Sequence, residues 1–280
     1  MPAGTRTQLL LVVLRKALFV SSFLLLALPA GPRAQQSDDF DQYKVRLDTY
    51  WFYSNPGGSV QGSSDEAPVD FQKDLGFNGY STYAARADWK FTRKNHFYVS
   101  LSRYNKTRQT ILNRTITFRG QTFEVGTSVR TDLHAFLVAP GYQYDFIRRK
   151  RGHLGLGVQV DLFNTSAKIS ATAAVEGGEV VSAKGSVLAP IPVAGPEYRI
   201  YLTNSPRVFI EGNVYGMYFF GYGNFVSTAN ALGVTLNRHI SLNAGYQIGS
   251  RLVVNNSDSA NRIGLRLTEQ GAIVGAEFSF

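Results

Sequence analysis

The feature that most constrains this chain is a period of two. In "ISLNAGYQIGSRL" at 240–252, Leu242, Ala244, Tyr246 and Ile248 share one parity, while Ser241, Asn243, Gly245, Gln247, Gly249 and Arg251 share the other. Successive side chains of a strand point to opposite faces, so the stretch predicts a strand lying between an apolar and a polar medium. The pattern recurs. "YKVRLDTYWFY" at 43–53 sets Val45, Leu47, Thr49, Trp51 and Tyr53 against Lys44, Arg46, Asp48 and Tyr50. "YAARADWKF" at 83–91 sets Tyr83, Ala85, Ala87, Trp89 and Phe91 against Arg86, Asp88 and Lys90. "FYVSLS" at 97–102 and "LGLGVQVDL" at 154–162 sort the same way, and further strands are expected near 128–147, 193–204, 207–220, 224–236 and 263–280. Beyond residue 34, no segment of helical length keeps an apolar stripe at the 3.6-residue period.

The connections alternate in kind. Short polar turns are expected at 93–95, 148–152, 204–206 and 237–239, and longer links near 54–78, 105–127, 171–192 and 253–262, with "GYG" at 221–223 joining the second group by position. Four turns and five links give an up-and-down meander of about ten strands, with eight as the alternative. With no helix to cover it, such a sheet must close or expose edges that pair with other chains. The expected fold is therefore all-β: a closed antiparallel barrel.

Residues 1–34 belong to another regime. Arg6, Arg15 and Lys16 precede the apolar run "ALFVSSFLLLALPA" at 17–30 and then "GPRAQQ", which predicts a cleaved signal peptide at 1–34 and a barrel domain at 35–280. Ala30 and Ala34 are the candidate cleavage positions, and an N-terminal anchor helix is the alternative. Four of the basic residues lie in the leader, so a net charge of +9 falls to +5 for the remainder. That surplus is scattered, with no basic helix and no aromatic-basic motif, so no nucleic-acid partner is expected. Cys is absent, which excludes disulfides, thiol nucleophiles and cysteine–metal sites.

Either lipid or water could lie outside the barrel. A leader, the inequality of turns and loops, and aromatics near strand ends (Trp51, Tyr53, Trp89, Phe91, Tyr218, Phe220) all favour lipid. So do the ionisable residues on the other parity, which would be costly in a dry soluble core. Arg46, Asp48, Arg86, Asp88, Asp161, Arg199, Glu211, Gln247, Arg251 and Glu277 are accordingly expected to form a hydrated polar network in the lumen. About eight strands enclose only enough space for side chains and sixteen or more leave a channel, so ten strands predict a filled lumen rather than a wide pore.

The C-terminal "GAIVGAEFSF", with Phe278 and Phe280 on one parity, resembles the closing strand of bacterial outer-membrane β-barrel proteins, whose terminal aromatic is the signal read by the barrel-assembly machinery. "VDFQKDLGF" at 69–77 resembles a segment after the first strand in a broad group of small outer-membrane β-barrels of poorly defined function. The resemblance covers nearly the whole chain and implies an integral outer-membrane location. The partners it implies are lipid, lipopolysaccharide, periplasmic chaperones and the assembly machinery. Asp70 and Asp74 are expected to make turn hydrogen bonds in a loop over the barrel mouth, with a surface ligand or partner site as the alternative.

Candidate chemistry is sparse. "TDLH" puts Asp132 and His134 on one side of a strand, as an acid that orients an imidazole requires, and resembles half of the site of omptins, the ten-stranded outer-membrane proteases. The other acid pair is lacking except for "DDFD" at 38–41, so a lumenal hydrogen-bonded pair is the expected role. His239 and Ser241 are spaced as in lipid A 3-O-deacylase barrels, but no acid follows before Ser257 and His239 falls in a tight turn. His96 and His153 each follow a basic turn and are expected in the interfacial region. No metal-ligand cluster or phosphate loop is present in the sequence, no cofactor is expected, and the ligand is unknown. The expected role is non-enzymatic, in envelope structure, surface interaction or restricted passage of small solutes, with an outer-membrane hydrolase as the alternative.

Overall fold

The computed structural model describes residues 40–63, 65–171, 181–219, 223–254 and 264–280. The expected leader at 1–34 lies outside the described residues, as do Phe220 and parts of the links after 171, 219 and 254. The strands are β1 (Val45–Gln61), β2 (Val69–Asp70), β3 (Tyr80–Lys90), β4 (Asn95–Ile111), β5 (Ile116–Phe118), β6 (Gln121–Phe123), β7 (Ser128–Arg149), β8 (Gly152–Ala171), β9 (Ser182–Tyr201), β10 (Arg207–Phe219), β11 (Gly223–Thr235), β12 (Ile240–Val254) and β13 (Gly264–Ser279).

Ten of these form the barrel wall in the order β13-β12-β11-β10-β9-β8-β7-β4-β3-β1, and β1 pairs with β13 to close it. The closing register runs from Arg46↔Ser279 to Gln61↔Gly264, all antiparallel, so no edge of the wall is left open. Phe280 finishes the seam: its carbonyl accepts from the N–H groups of Lys44 and Val45 at 2.6 and 3.1 Å. The strand β2 adds to the end of β1, and β5 and β6 form a separate hairpin.

The period of two places apolar side chains outside. Leu242, Tyr246 and Val274 are 44%, 46% and 49% exposed, whereas Asn243 and Glu277 between them are 4% and 1% exposed. Around the short-turn rim Trp89, Phe91, Phe97 and Phe280 stand outward; Phe91 stacks on Phe97 at 4.9 Å and Phe97 meets Tyr142 at 5.5 Å. This is an aromatic girdle at one edge of an apolar belt.

Two strands run beyond the expected limits. Loops were expected from 54 and 105, yet β1 continues to Gln61 against β13 and β4 continues to Ile111 against β7. In these extensions most residues other than Val60 and Ile111 are polar or glycine, so the hydropathy alternation fades while the backbone ladder persists. A second departure lies in β12, where the register against β13 shifts between Gln247 and Ser250. Gln247 lines the lumen, but after the shift Arg251 is exposed and Leu252 is buried instead. Arg251 therefore does not belong to the lumenal set, because one extra residue reverses the facing of all that follow.

Candidate functional site

The lumen has two layers with different chemistry. Near the short-turn rim, inward side chains from nearly every strand form an ionic layer. Arg199 on β9 donates from Nε to Glu211 Oε2 at 3.1 Å and from Nη2 to both Glu211 and Glu277, and Asn243 donates to the same two carboxylates at 2.9 and 3.2 Å. Arg46 Nε donates to Asp48 at 3.3 Å. Arg86 donates to Glu197 at 3.1 Å and lies over the Tyr98 ring at 3.7 Å. Tyr215 donates to Glu197 and shares a hydrogen bond with Tyr98 at 2.9 Å.

The segment before β1 enters this layer. Asp41 is 3% exposed, 3.3 Å from Lys90 Nζ and 3.1 Å from His153 Nδ1. Burial would raise its pKa, but Lys90, the His153 hydrogen bond and Arg199 outweigh it and hold the carboxyl well below the usual range. Asp41 thus remains an anion that ties the N-terminal segment to three strands. His96 lies between Asp88 Oδ1 at 3.2 Å and Asp145 Oδ2 at 3.0 Å, and Arg148 reaches Asp145 at 3.0 Å.

The layer brings together Arg46, Asp48, Arg86, Asp88, Arg199, Glu211 and Glu277 from the expected network, while Asp161 and Gln247 stand further along the lumen. It also contains groups that the sequence reading left out: Asp41, Lys90, Asp145, Arg148 and Glu197. His96 and His153, expected at the interface, are buried inside at 0% and 8% exposure. The parity of Lys90 with Asp88 was a usable signal. Asp41 carried none, since it lies outside any periodic stretch.

Towards the long-loop rim the interior turns apolar. Leu133, Phe163, Ile191, Phe225, Leu252, Leu265 and Leu267 face inward, and Phe71 and Phe77 of the 62–79 loop cap them from above. "VDFQKDLGF" makes this cap by local hydrogen bonding. Asp70 Oδ1 accepts from the N–H groups of Gln72 and Lys73 at 2.9 and 2.8 Å, and Asp74 Oδ2 accepts from Asp70 N–H at 2.7 Å. Gly76, with φ +68°, lets the chain reverse so that Phe77 N–H reaches the Phe71 carbonyl at 2.8 Å. Arg114, after β4, clasps Asp74 through Nε at 2.8 Å and Nη2 at 2.6 Å.

Between the ionic floor and the apolar cap lies a cavity of about 440 Å³. Phe52, Tyr80, Tyr104, Phe163, Phe225 and Ile273 are among its walls, and Glu269 and Asp161 project into it. Small-molecule sites commonly have this make-up, an apolar lining with a few convergent polar groups.

The hydrolase candidates lie elsewhere. Asp132 and His134 alternate with the inward Thr131, Leu133 and Ala135, so both are on the outer face, contrary to the lumenal pair expected. Asp132 accepts from Thr107 Oγ1 at 2.5 Å and Arg130 Nε at 3.3 Å, not from His134. His239 Nδ1 is 2.7 Å from the Ser279 carbonyl, while Ser241 is turned inward and donates to Thr235 at 3.3 Å, so these two do not pair. Phe278 and Phe280 end the closing strand on its outer face, and Phe280 packs on His239 at 6.0 Å. Among the described residues no group of three or more His, Asp or Glu could hold a metal ion.

Closed antiparallel wall, apolar exterior and charged interior define an outer-membrane-type β-barrel. Neither a protein-family profile nor a curated protein matches the sequence. Among solved structures, the outer membrane protease OmpT of Escherichia coli superposes with a TM-score of 0.55 at 12% identity, over 87% of this chain and 100% of that one. The attachment invasion locus protein Ail of Yersinia pestis (TM-score 0.37, 8% identity, 85% and 99% covered) and the toluene transporter TodX of P. putida (0.35, 8%, 86% and 91%) are more distant. At such identities the likeness to OmpT concerns the fold.

Proposed function

We propose that this protein is an integral, non-enzymatic barrel of the bacterial outer membrane that admits a small, largely apolar solute into a lumen blocked on its periplasmic side. The membrane location is supported by the exposed belt of Val99, Leu101, Leu156, Val158, Val160, Leu242 and Val274, which in water would be a large unfavourable apolar surface. On this reading the short-turn rim faces the periplasm and the long-loop rim faces outward.

The observation that carries the reading is the cavity, apolar above and closed below by an ion-paired layer into which Asp41 is tied. A hydrolase would need its reactive groups where a substrate could approach them together. Asp132 is engaged by Thr107 and Arg130 instead.

Two measurements test it. In planar bilayers the protein should give little or no conductance, and large long-lived porin-like steps would contradict a blocked lumen. In nonionic detergent, a neutral aromatic such as benzyl alcohol should bind at about one site per barrel by calorimetry. Replacement of the cavity-lining Ala135 by Phe should abolish that binding; binding unaffected by Ala135→Phe would place the solute elsewhere.

A further inference from the structure

The charges around the cavity do not balance. Its described lining holds five carboxylates, Asp48, Asp161, Glu197, Glu211 and Glu269, against the three guanidinium groups of Arg46, Arg86 and Arg199. Each guanidinium is taken: Arg46 by Asp48, Arg86 by Glu197, and Arg199 by Glu211 together with Glu277 outside the lining. His153, the other basic group of the lining, is held by Asp41. Two carboxylates are left over.

Asp161 is 5% exposed, and its one described partner is the neutral amide of Gln159 at 2.6 Å. Glu269 has no hydrogen-bond or ion-pair partner among the described residues, and it faces the cavity near Leu267, with Pro56 opposite it on β1. The two stand on β8 and β13, five strands apart in a ring of ten, and so on opposite walls. An acid excess here contrasts with a chain whose net charge is +9. Buried carboxylates without cations are costly and are ordinarily compensated.

The aromatic walls offer the matching surface. Tyr80 and Tyr104 meet at 4.3 Å between ring centroids, and Phe52, Phe71, Phe77, Phe163 and Phe225 are also in the lining. Ring faces attract an ammonium, most strongly where water is excluded. An anionic ligand, in contrast, would meet arginines that each already pair with a carboxylate, with only Arg46 Nη1 and Arg86 Nε lacking a hydrogen-bond acceptor among the described residues.

We propose that the solute held in this cavity is an organic cation: an amine or quaternary ammonium on an apolar body, its charge met by Glu269 and Asp161 and its body by the aromatic wall. This rests on the cavity reading above and names the ligand class for it.

Three water-soluble probes of similar size separate the possibilities: benzyltrimethylammonium, benzyl alcohol and phenylacetate, titrated calorimetrically into the full barrel in nonionic detergent at neutral pH. The cation should bind about tenfold or more tighter than the alcohol, and the carboxylate weakest of all. Glu269→Gln should remove most of that preference, read as the ratio of cation to alcohol affinity within the same protein. Asp161→Asn, on the opposite wall, gives the same reading independently should Glu269→Gln fail to fold. Equal affinities for cation and alcohol, tighter binding of phenylacetate, or a cation preference that survives both variants would overturn the assignment while leaving the cavity reading intact. Failure of all three probes to bind would overturn the cavity reading as well.

Discussion

Replacement of Arg199 by Met probes the ionic layer at its centre. The side chains of Arg199 and Glu277 are 4% and 1% exposed, and that of Glu211 is 18% exposed. Met fills most of the space but leaves Glu211 and Glu277 facing one another, with Asn243 as their remaining shared donor. It also removes the guanidinium 4.3 Å above the Phe209 ring. Breaking a buried pair from one side costs about 3–5 kcal/mol, because the loss of solvation of the orphaned charge is no longer compensated. With a urea dependence of about 2 kcal/mol per M, the unfolding midpoint should fall by about 2 M. Unfolding of the barrel in lipid vesicles can be followed by the difference in gel mobility between folded and unfolded forms. Adding Glu277→Gln to Arg199→Met should recover part of the loss, since a neutral amide replaces the uncompensated carboxylate. The reasoning is refuted if Arg199→Met moves the midpoint by less than about 0.3 M, or if the two substitutions together destabilise by the sum of their separate effects.

The cap is acid-sensitive in a defined direction. Burial would raise the Asp74 pKa, but the Arg114 hydrogen bonds and the Asp70 N–H outweigh it and hold it below the usual carboxylate value. A lowered pKa in the folded state means that the clasp is fully made above pH about 4 and is lost as pH falls through the folded value. Amide exchange in 69–77, corrected for its intrinsic pH dependence, should rise in that acid range. Asp74→Asn should already show the raised rate at neutral pH, and identical exchange in the two proteins would contradict the clasp. For the outward histidine, His134→Ala should leave peptide and lipid A turnover in detergent at background, as in the parent; a turnover that the substitution abolishes would restore the hydrolase reading.

The wall was legible because its cause is local. Each strand declares itself through alternation, as at Leu242 to Gln247, and the inequality of turns and loops orders the strands into a closed meander. What escaped has causes that sequence spacing does not carry. Arg251 was misplaced because the register shift before it depends on how β12 pairs with β13, not on β12 alone. Asp41 sits in an irregular segment whose position is fixed by Lys90, His153 and Arg199, residues distant in the chain. The apolar half of the lumen was hidden because Ile191 and Val193 on β9 face inward while their neighbours Pro190 and Pro192 are no more polar, so the strand shows no alternation there. Glu269 shares the parity of Glu277 on β13, which marks it as inward but not as unpaired. Its significance comes from the cations it lacks, and those can be counted only once the walls are assembled.

The facing of the strands can be measured directly, because the chain has no Cys and single cysteines can be introduced without background. Spin labels placed one at a time from 241 to 247 in the barrel reconstituted in lipid report collision with oxygen, which concentrates in the acyl region. Collision should be high at 242, 244 and 246 and low at 241, 243, 245 and 247. Maxima on the odd positions, or rates that do not alternate, would contradict a wall whose apolar side meets lipid.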